Sequence, residues 1–384
     1  MRKLLLWCFV LLPALTTNAQ DSTVIPHKLT VNGYIKDLQT LTFDKDFNDL
    51  VAGNLIHNRI NVKWKPSVEI SGVAEFRNRL FWGEEVKLIP HFASLLKNEN
   101  EAIDMQKIWI ESSSLVLLTN IERLYFDYNN DKLNLRIGRQ RINWGVNATW
   151  NPNDIFNSYN FLDFDYEERP GVDAGKIRYL LRNSSNVEFA YSYMDKEDGG
   201  IAAVKYALDK WNYDLQFIAG WYHNQLTAGA GWAGSIGDAG FKGEAQYFFA
   251  GKDSVSHLNL ALEGDYMFRK GWYLNLGVLF NNRGLNRPVG NWSTLDLVLS
   301  PENLMPTKWN LIVKCAREIT PLLSVNITVL YSPGANLTIF YPSLQYSIAT
   351  NLDVNFVWQS FYAGQNHGFE AINHRAFLRL KWNF

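Results

Sequence analysis

Cysteine is scarce in this 384-residue chain: Cys8 and Cys315 are the only two. Cys8 lies in an apolar stretch at the start, too early for lipid attachment, and belongs to a segment expected to be removed. One thiol then remains, so no intramolecular disulfide forms. Metal-ligand spacings of His, Cys and Asp are missing, as is a Gly-rich phosphate loop after a strand. The seven histidines (His27, His57, His91, His223, His257, His367 and His374) map mostly to loops or strand ends. Ser256 and His257 are neighbours, but on a strand their side chains would point apart, so no nucleophile–base pair emerges. An excess of either charge is also lacking: 37 basic against 38 acidic residues gives −1, and −3 once Arg2 and Lys3 are removed. That balance excludes the basic footprint of a nucleic-acid binder. No later stretch approaches 18 uninterrupted apolar residues, which excludes helical membrane spans. Nor does any Pro/Gly/Ser-rich linker divide the chain. Neither a cofactor nor catalysis is expected.

What is present is alternation. Aromatics make up 14% of the chain, with 14 Trp and 18 Tyr, and they join other apolar residues at every second position of many segments. Tyr213-Leu215-Phe217-Ala219-Trp221, Trp272-Leu274-Leu276-Val278-Phe280 and Leu323-Val325-Ile327-Val329-Tyr331 are examples. Polar residues such as Asp214, Gln216, Asn275 and Asn326 lie between them. A strand has period two, so each segment carries one apolar and one wet face. The final segment does the same: Ala376, Leu378, Leu380, Trp382 and Phe384 alternate with Arg375, Phe377, Arg379 and Lys381. A lipid-facing exterior around a watery interior needs this pattern, and a terminal aromatic suits the periplasmic girdle of a transmembrane β-barrel. Trp382 and Phe384 are therefore the candidates for membrane insertion and barrel closure.

The start of the chain agrees with an exported protein. Met1-Arg2-Lys3 is basic, Leu4 to Leu15 is nearly all apolar, and Thr16-Thr17-Asn18-Ala19 supplies small residues for cleavage. The prediction is a signal peptide over 1–20 and an outer-membrane β-barrel over 21–384. Only about ten mature residues precede the first strand, so no plug domain is expected.

Short turns, such as Lys65-Pro66-Ser67 and Asn129-Asn130-Asp131-Lys132, alternate with longer connections near 83–114, 145–172, 282–307 and 361–373. That asymmetry separates periplasmic turns from extracellular loops. The fold class read from it is all-β: an antiparallel up-and-down barrel of about 18 strands. The count falls to 16 if the weakest segments, 28–38 and 337–348, are not strands. Barrels this wide leave an aqueous channel.

Charge concentrates between 133 and 178. One strand carries Arg136, Arg139 and Arg141, and the next carries Lys176 and Arg178. Between them runs a loop of nearly 30 residues with Asp154, Asp163, Asp165, Glu167 and Glu168, rich in aromatics. Loops this long are usually functional or disordered. An inward-folded loop at 145–172 would narrow the lumen and set its carboxylates across from the arginines, giving a size limit and an ion preference. The alternative is a loop tied to the wall by ordinary ion pairs. Glu75, Arg77, Arg79 and Arg123 are further lumen candidates. On strict alternation Arg139 shares a face with Leu135 and Ile137, and a bulge near Gly138 is needed to turn it inward.

The segment Gly138-Arg139-Gln140-Arg141-Ile142-Asn143-Trp144-Gly145 resembles the Gly-Arg-Gln-x-x-x-Trp-Gly strand end of porin-like outer-membrane barrels, alginate-export-type barrels among them. The resemblance covers eight residues and the barrel layout. It implies arginines lining a pore beside an inserted loop. The expected function is passive diffusion of small hydrophilic solutes, anions included, across a bacterial outer membrane. The alternatives are a dedicated exporter or importer of an anionic polysaccharide or organic acid, and a non-conducting surface-presenting barrel. Expected partners are the lipid bilayer and the outer-membrane assembly machinery acting on the C-terminal strand, with the barrel either a monomer or a homotrimer.

Overall fold

The computed structural model describes residues 28–96, 101–157, 169–193, 199–252, 254–288, 299–365 and 368–384. The predicted signal peptide lies outside these residues, as do Asp163, Asp165, Glu167 and Glu168.

The first strands are β1 (Leu29–Asp44), β2 (Leu50–Trp64), β3 (Ile70–Gly83), β4 (Gln106–Glu111), β5 (Leu115–Asn129), β6 (Leu133–Gln140) and β7 (Val172–Leu180). Next come β8 (Asn186–Ser192), β9 (Ile201–Lys210), β10 (Tyr213–Tyr222), β11 (Gln225–Ile236), β12 (Ala239–Phe248) and β13 (His257–Met267). The last are β14 (Trp272–Asn281), β15 (Trp309–Thr320), β16 (Leu323–Ser332), β17 (Leu337–Ala349), β18 (Leu352–Gln365) and β19 (Gly368–Asn383). All but β4 form a closed antiparallel barrel of 18 strands, sealed where β1 pairs with β19. Closure leaves no open edge, as hydrocarbon requires. Phe384 completes the seam: Gly33 and Phe384 exchange both backbone hydrogen bonds at 2.9 Å.

Alternation sets the faces. On β10, Phe217 and Trp221 are exposed on the outside, while Gln216 and Ile218 are buried on the inside. On β15, Trp309, Leu311 and Val313 face out, whereas Asn310 and Ile312 face in. The short turns close through residues that accept positive φ, such as Asn183-Ser184 and Trp211-Asn212, the backbone of a two-residue hairpin. The segment 337–348 reads weakly because Pro342 sits in mid-strand and cannot donate to the ladder. Even so, β17 pairs on both sides, and its register to β18 skips Tyr341 and Pro342.

Two connections differ from expectation. The 361–373 loop is absent because β18 and β19 extend to Gln365 and Gly368. Within 83–114 the chain forms α1 (Glu84–Leu88), α2 (Phe92–Leu95) and β4. Strand β4 pairs with β5 over Val116–Asn120, above the stretch Leu124–Asn129 where β6 pairs. It fills the place in the sheet that β6 leaves when its chain turns into the lumen.

Among the described residues three segments enter the barrel. Helices α1 and α2 pack Val86 and Ala93 against Val116 and Leu118. Ile142, Trp144, Ile155 and Phe156 pack against Val172, Ala190, Ile218 and Phe248. Leu304 and Met305 pack with Trp150 against Leu279, Ile312 and Leu330.

Candidate functional site

The resembling segment is where the chain leaves the wall. Gly138 has φ +118°, and a Cβ there would stand 2.2 Å from the Leu124 carbonyl oxygen. Only glycine fits such backbone without strain. Gln140 donates to the Ala174 carbonyl at 2.9 Å, which holds the end of β6 to β7. Beyond it the buried Trp144 donates its indole N–H to Glu188 of β8 at 2.5 Å, and Lys205 of β9 sits 5.4 Å over its ring.

From Trp144 onward the chain runs along the inner wall, held by side chains far away in sequence. Glu244 of β12 accepts the backbone N–H groups of Val146 (2.6 Å), Asn147 (2.8 Å) and Asn153 (2.8 Å), and the Asn151 side chain at 3.2 Å. Glu263 of β13 accepts those of Ala148 (2.5 Å) and Thr149 (2.8 Å). Lys314 of β15 donates to the Thr149 hydroxyl at 2.6 Å. Gln216 of β10 donates to the Trp144 carbonyl and to Asn153. Room for Asn153 comes from Gly231 of β11, where a Cβ would lie 2.7 Å from its Oδ1. Loop backbone inside a wide barrel must find partners for its amides, and two wall carboxylates supply most of them here.

Asp154 does not face the arginine strand across the lumen. It is buried, accepts the Trp144 N–H at 3.0 Å and pairs with Arg169 of its own loop. Arg169 also bonds Asn151, and its carbonyl accepts Arg123 at 2.5 Å. Burial, with Arg141 nearby, pushes the Arg169 guanidinium down to about 10, which leaves it cationic at neutral pH.

Arg139 corrects the expectation of a pore-lining residue. No bulge shifts the register at Gly138; Arg139 stands opposite Leu124 and Asp173, on the outward face with Ile137. There it pairs with Asp173 at 3.0 Å and with Glu101 at 2.9 Å, and donates to the Ile121 and Ile103 carbonyls. Asp173 in turn accepts the N–H groups of Ala102 and Ile103. The cluster clamps the segment leading to β4 over the outside of the wall. Arg141, past the end of β6, is exposed and donates to Asn143 at 3.1 Å.

The other candidates face inward. Arg136 bonds Asp127 at 2.7 Å and lies 4.4 Å over the Tyr125 ring. Lys176 stands 3.9 Å from Glu188, and Arg178 lies two residues along the same face. Arg136, Lys176 and Arg178 border a cavity of about 350 Å³ at the short-turn end, together with Asp127 and Lys132. Glu75 pairs with Arg59; Arg77 reaches Glu122 at 3.4 Å and His57 at 3.2 Å; Arg79 donates to Asn120 at 3.3 Å. Pairing also turns Lys36, Arg59, Lys205, Arg375, Arg379 and Lys381 inward. Sequence reasoning missed these as site residues, although the alternation that places Arg77 and Arg79 inward places them too. The inward cations thus cluster on β19, β1–β3, β5–β7 and β9, with Glu75, Glu122, Asp127 and Glu188 interspersed. The inward face of β10–β17 carries fewer cations: Lys242 stands 3.7 Å from Asp265, Lys314 bonds the loop at Thr149, and Glu244 and Glu263 are occupied by the loop.

Among the described residues one serine–histidine contact occurs: Ser360 and His374 approach to 2.8 Å on the outward face. Ser360 also accepts the Trp358 indole N–H, and Phe47 stacks on His374 at 4.6 Å, so the hydroxyl is buried under aromatics. Among the described residues no cluster of metal ligands occurs.

No family model matches the chain, and no curated protein does. Solved structures do. OccAB4 of Acinetobacter baumannii aligns with TM-score 0.58 at 12% identity, covering 94% of this chain and 100% of that one. OpdQ of Pseudomonas aeruginosa aligns with TM-score 0.57 at 8% identity, covering 93% and 98%. OccK8 (OprE) of the same organism aligns with TM-score 0.56 at 11% identity, covering 93% and 98%. Over nearly its whole length, the chain has the fold of these outer-membrane porins.

Proposed function

We propose that the protein is a bacterial outer-membrane channel through which small hydrophilic solutes diffuse passively, anions in preference. One observation carries the reading: an arc of the inner wall from β1 to β7 bears Lys36, Arg59, Arg77, Arg79, Arg136, Lys176 and Arg178, and lies across from the strands along which loop 142–157 runs. Cations on one side of a narrowed lumen give a transverse field that favours anions. The loop narrows the channel by occupying space beside β8–β13; charge selection falls to the wall arginines rather than to Asp154. Nothing in this reading requires chemistry at a side chain, so the channel is not an enzyme. The final strand, with Trp382 and Phe384 beside the seam, is the element the assembly machinery engages.

The test is single-channel conductance of refolded protein in a planar bilayer, with reversal potentials under a salt gradient. Open steps with anion preference are expected. Replacing Arg136, Lys176 and Arg178 together by Ala should move the reversal potential toward the cation side. Silent protein with an intact barrel would move the weight to surface presentation. A second reading, a path dedicated to an acidic polysaccharide or organic acid, is favoured by the cationic cavity at the short-turn end; it predicts block of the current by acidic sugars.

A further inference from the structure

At the short-turn end of the inner wall, cations crowd together. Cross-strand pairing sets Arg136 of β6 directly opposite Lys176 of β7. Arg178 lies two residues along the same face, opposite Glu188, and Lys205 of β9 stands across Glu188 from it. Lys132, in the β5–β6 turn, borders the same cavity of about 350 Å³ as Arg136, Lys176 and Arg178. Like charges directly opposite each other on a sheet are destabilising. Two carboxylates, Asp127 and Glu188, stand among these five cations, and both are already engaged. Asp127 accepts Arg136 Nε at 2.7 Å and the Asn134 side chain at 3.0 Å on the same oxygen. Glu188 accepts the Trp144 indole N–H at 2.5 Å and stays 3.9 Å from Lys176. Donor capacity is left over. The two terminal amino groups of Arg136 have no partner among the described residues, and the side chains of Arg178 and Lys132 make no hydrogen bond or ion pair with them.

The density of this charge decides the ligand. Sheet geometry puts the Cβ atoms of Arg136 and Lys176 about 5 Å apart, and Arg178 about 7 Å along the strand from Lys176. Three positive side chains therefore come within reach of one anionic group. A carboxylate brings one negative charge and leaves most of the cluster uncompensated. A phosphate dianion brings close to two charges and three strong acceptor oxygens on one centre. Arginine forks match those oxygens in pairs, and lysine serves as a point charge. Ligand pockets begin at about 300 Å³, so the cavity has room for a phosphate and a small body such as glycerol. The patch is also separate from the rest of the cationic arc. With a rise of about 3.4 Å per residue and a tilt near 40°, Arg136 and Lys176 stand roughly 8–10 Å above the short-turn end, whereas Lys36 and Arg77 stand roughly 18 Å above it.

We propose that this cavity binds a phosphate dianion, free or borne on a small ester. The inference rests on the channel reading above for the ligand's route and adds to it the class of anion. The phosphate lies against the wall at the periplasmic mouth, where Arg136 and Arg178 donate to its oxygens and Lys176 and Lys132 compensate the remaining charge. Occupancy relieves the repulsion between Arg136 and Lys176, so the ligand stabilises the β6–β7 wall as well as being held by it.

The test is isothermal titration calorimetry of the refolded barrel in detergent, with inorganic phosphate and, separately, with glycerol 3-phosphate. One saturable site per chain is expected. Arg178→Ala and Lys176→Met should each weaken it about tenfold or more, as the loss of a contact to an ionised group does. Lys242→Ala, on β12 and paired with Asp265, should leave it unchanged. Affinity should rise with pH through the second phosphate ionisation at about 6, because the dianion is the bound form. Tighter binding of the ester than of the free ion identifies a phosphorylated small molecule as the ligand, and the reverse identifies phosphate itself. Heat-modifiable gel mobility shows that each variant is folded. A folded barrel with no saturable phosphate site, one that binds acetate or citrate more tightly than phosphate, or an Arg178→Ala variant that binds as the unaltered protein does would overturn the proposal. Protein that binds phosphate at this site yet stays silent in a planar bilayer would instead overturn the channel reading.

Discussion

Neutralising Glu244 should loosen the loop that lies inside the barrel. Its Oε1 accepts Val146, Asn147 and Asn151, and its Oε2 accepts Asn153. Hydrogen bonds to an ionised group contribute about 1.5–3 kcal/mol each, against about 1 kcal/mol for neutral pairs. In Glu244→Gln the amide oxygen keeps the first set at reduced strength, while the new NH₂ meets the Asn153 N–H donor to donor. These losses are not additive, and Glu263 still holds Ala148 and Thr149. A net weakening of roughly 3 kcal/mol is a reasonable expectation, or about 100-fold in the ratio of attached to detached loop. The assay is single-channel recording at fixed voltage. The variant should show larger mean conductance and flicker that the unaltered channel lacks, and a protease should cut within 142–157 sooner. A quiet Glu244→Gln channel of unchanged conductance, from protein with normal heat-modifiable mobility, would refute the idea that this carboxylate holds the loop.

Other outcomes follow from the same geometry. Asp173→Asn leaves Arg139 with a weakened outer-face partner; it should lower barrel stability by several kcal/mol in urea titration, as breaking a buried ion pair does, without moving the reversal potential. Gly231→Val places a branched side chain against Asn153 and should release the loop much as Glu244→Gln does, read as the same conductance increase. Gly138→Ala puts a Cβ against the Leu124 carbonyl at a positive φ, and strain of about 1–3 kcal/mol should appear as reduced folded yield in detergent refolding.

Most of the 18 strands were legible because they announce themselves locally: Trp309-Leu311-Val313 and Leu323-Val325-Ile327 carry their period in a few residues, and lipid enforces it, whereas Pro342 blurs the period of 337–348. Strand ends were less legible, since Phe361 to Asn373 has no clean alternation although its backbone pairs in a hairpin across a bulge. Strand β4 was hidden inside a loop because its role, filling the place of the departed β6, depends on a partner rather than on its own pattern. Arg139 shows the limit from the other side. Strict alternation with Leu135 and Ile137 already set it outward, and the expectation of a pore arginine pulled it in. Glu244 and Glu263 were visible as wet-face residues, yet nothing near them in the chain says that they bind amides about a hundred residues earlier.

The Gly33–Phe384 seam has a kinetic meaning. The residues that seal the barrel are those farthest apart along the chain, so the contact that removes the last open edge carries the greatest loop-closure entropy. Folding rates fall as contacts become less local. Until the seam forms, both β1 and β19 present unpaired amides that can add a strand from any neighbour. The interval between insertion of the first hairpin and arrival of the last strand is therefore the period in which this protein is most exposed to misassembly.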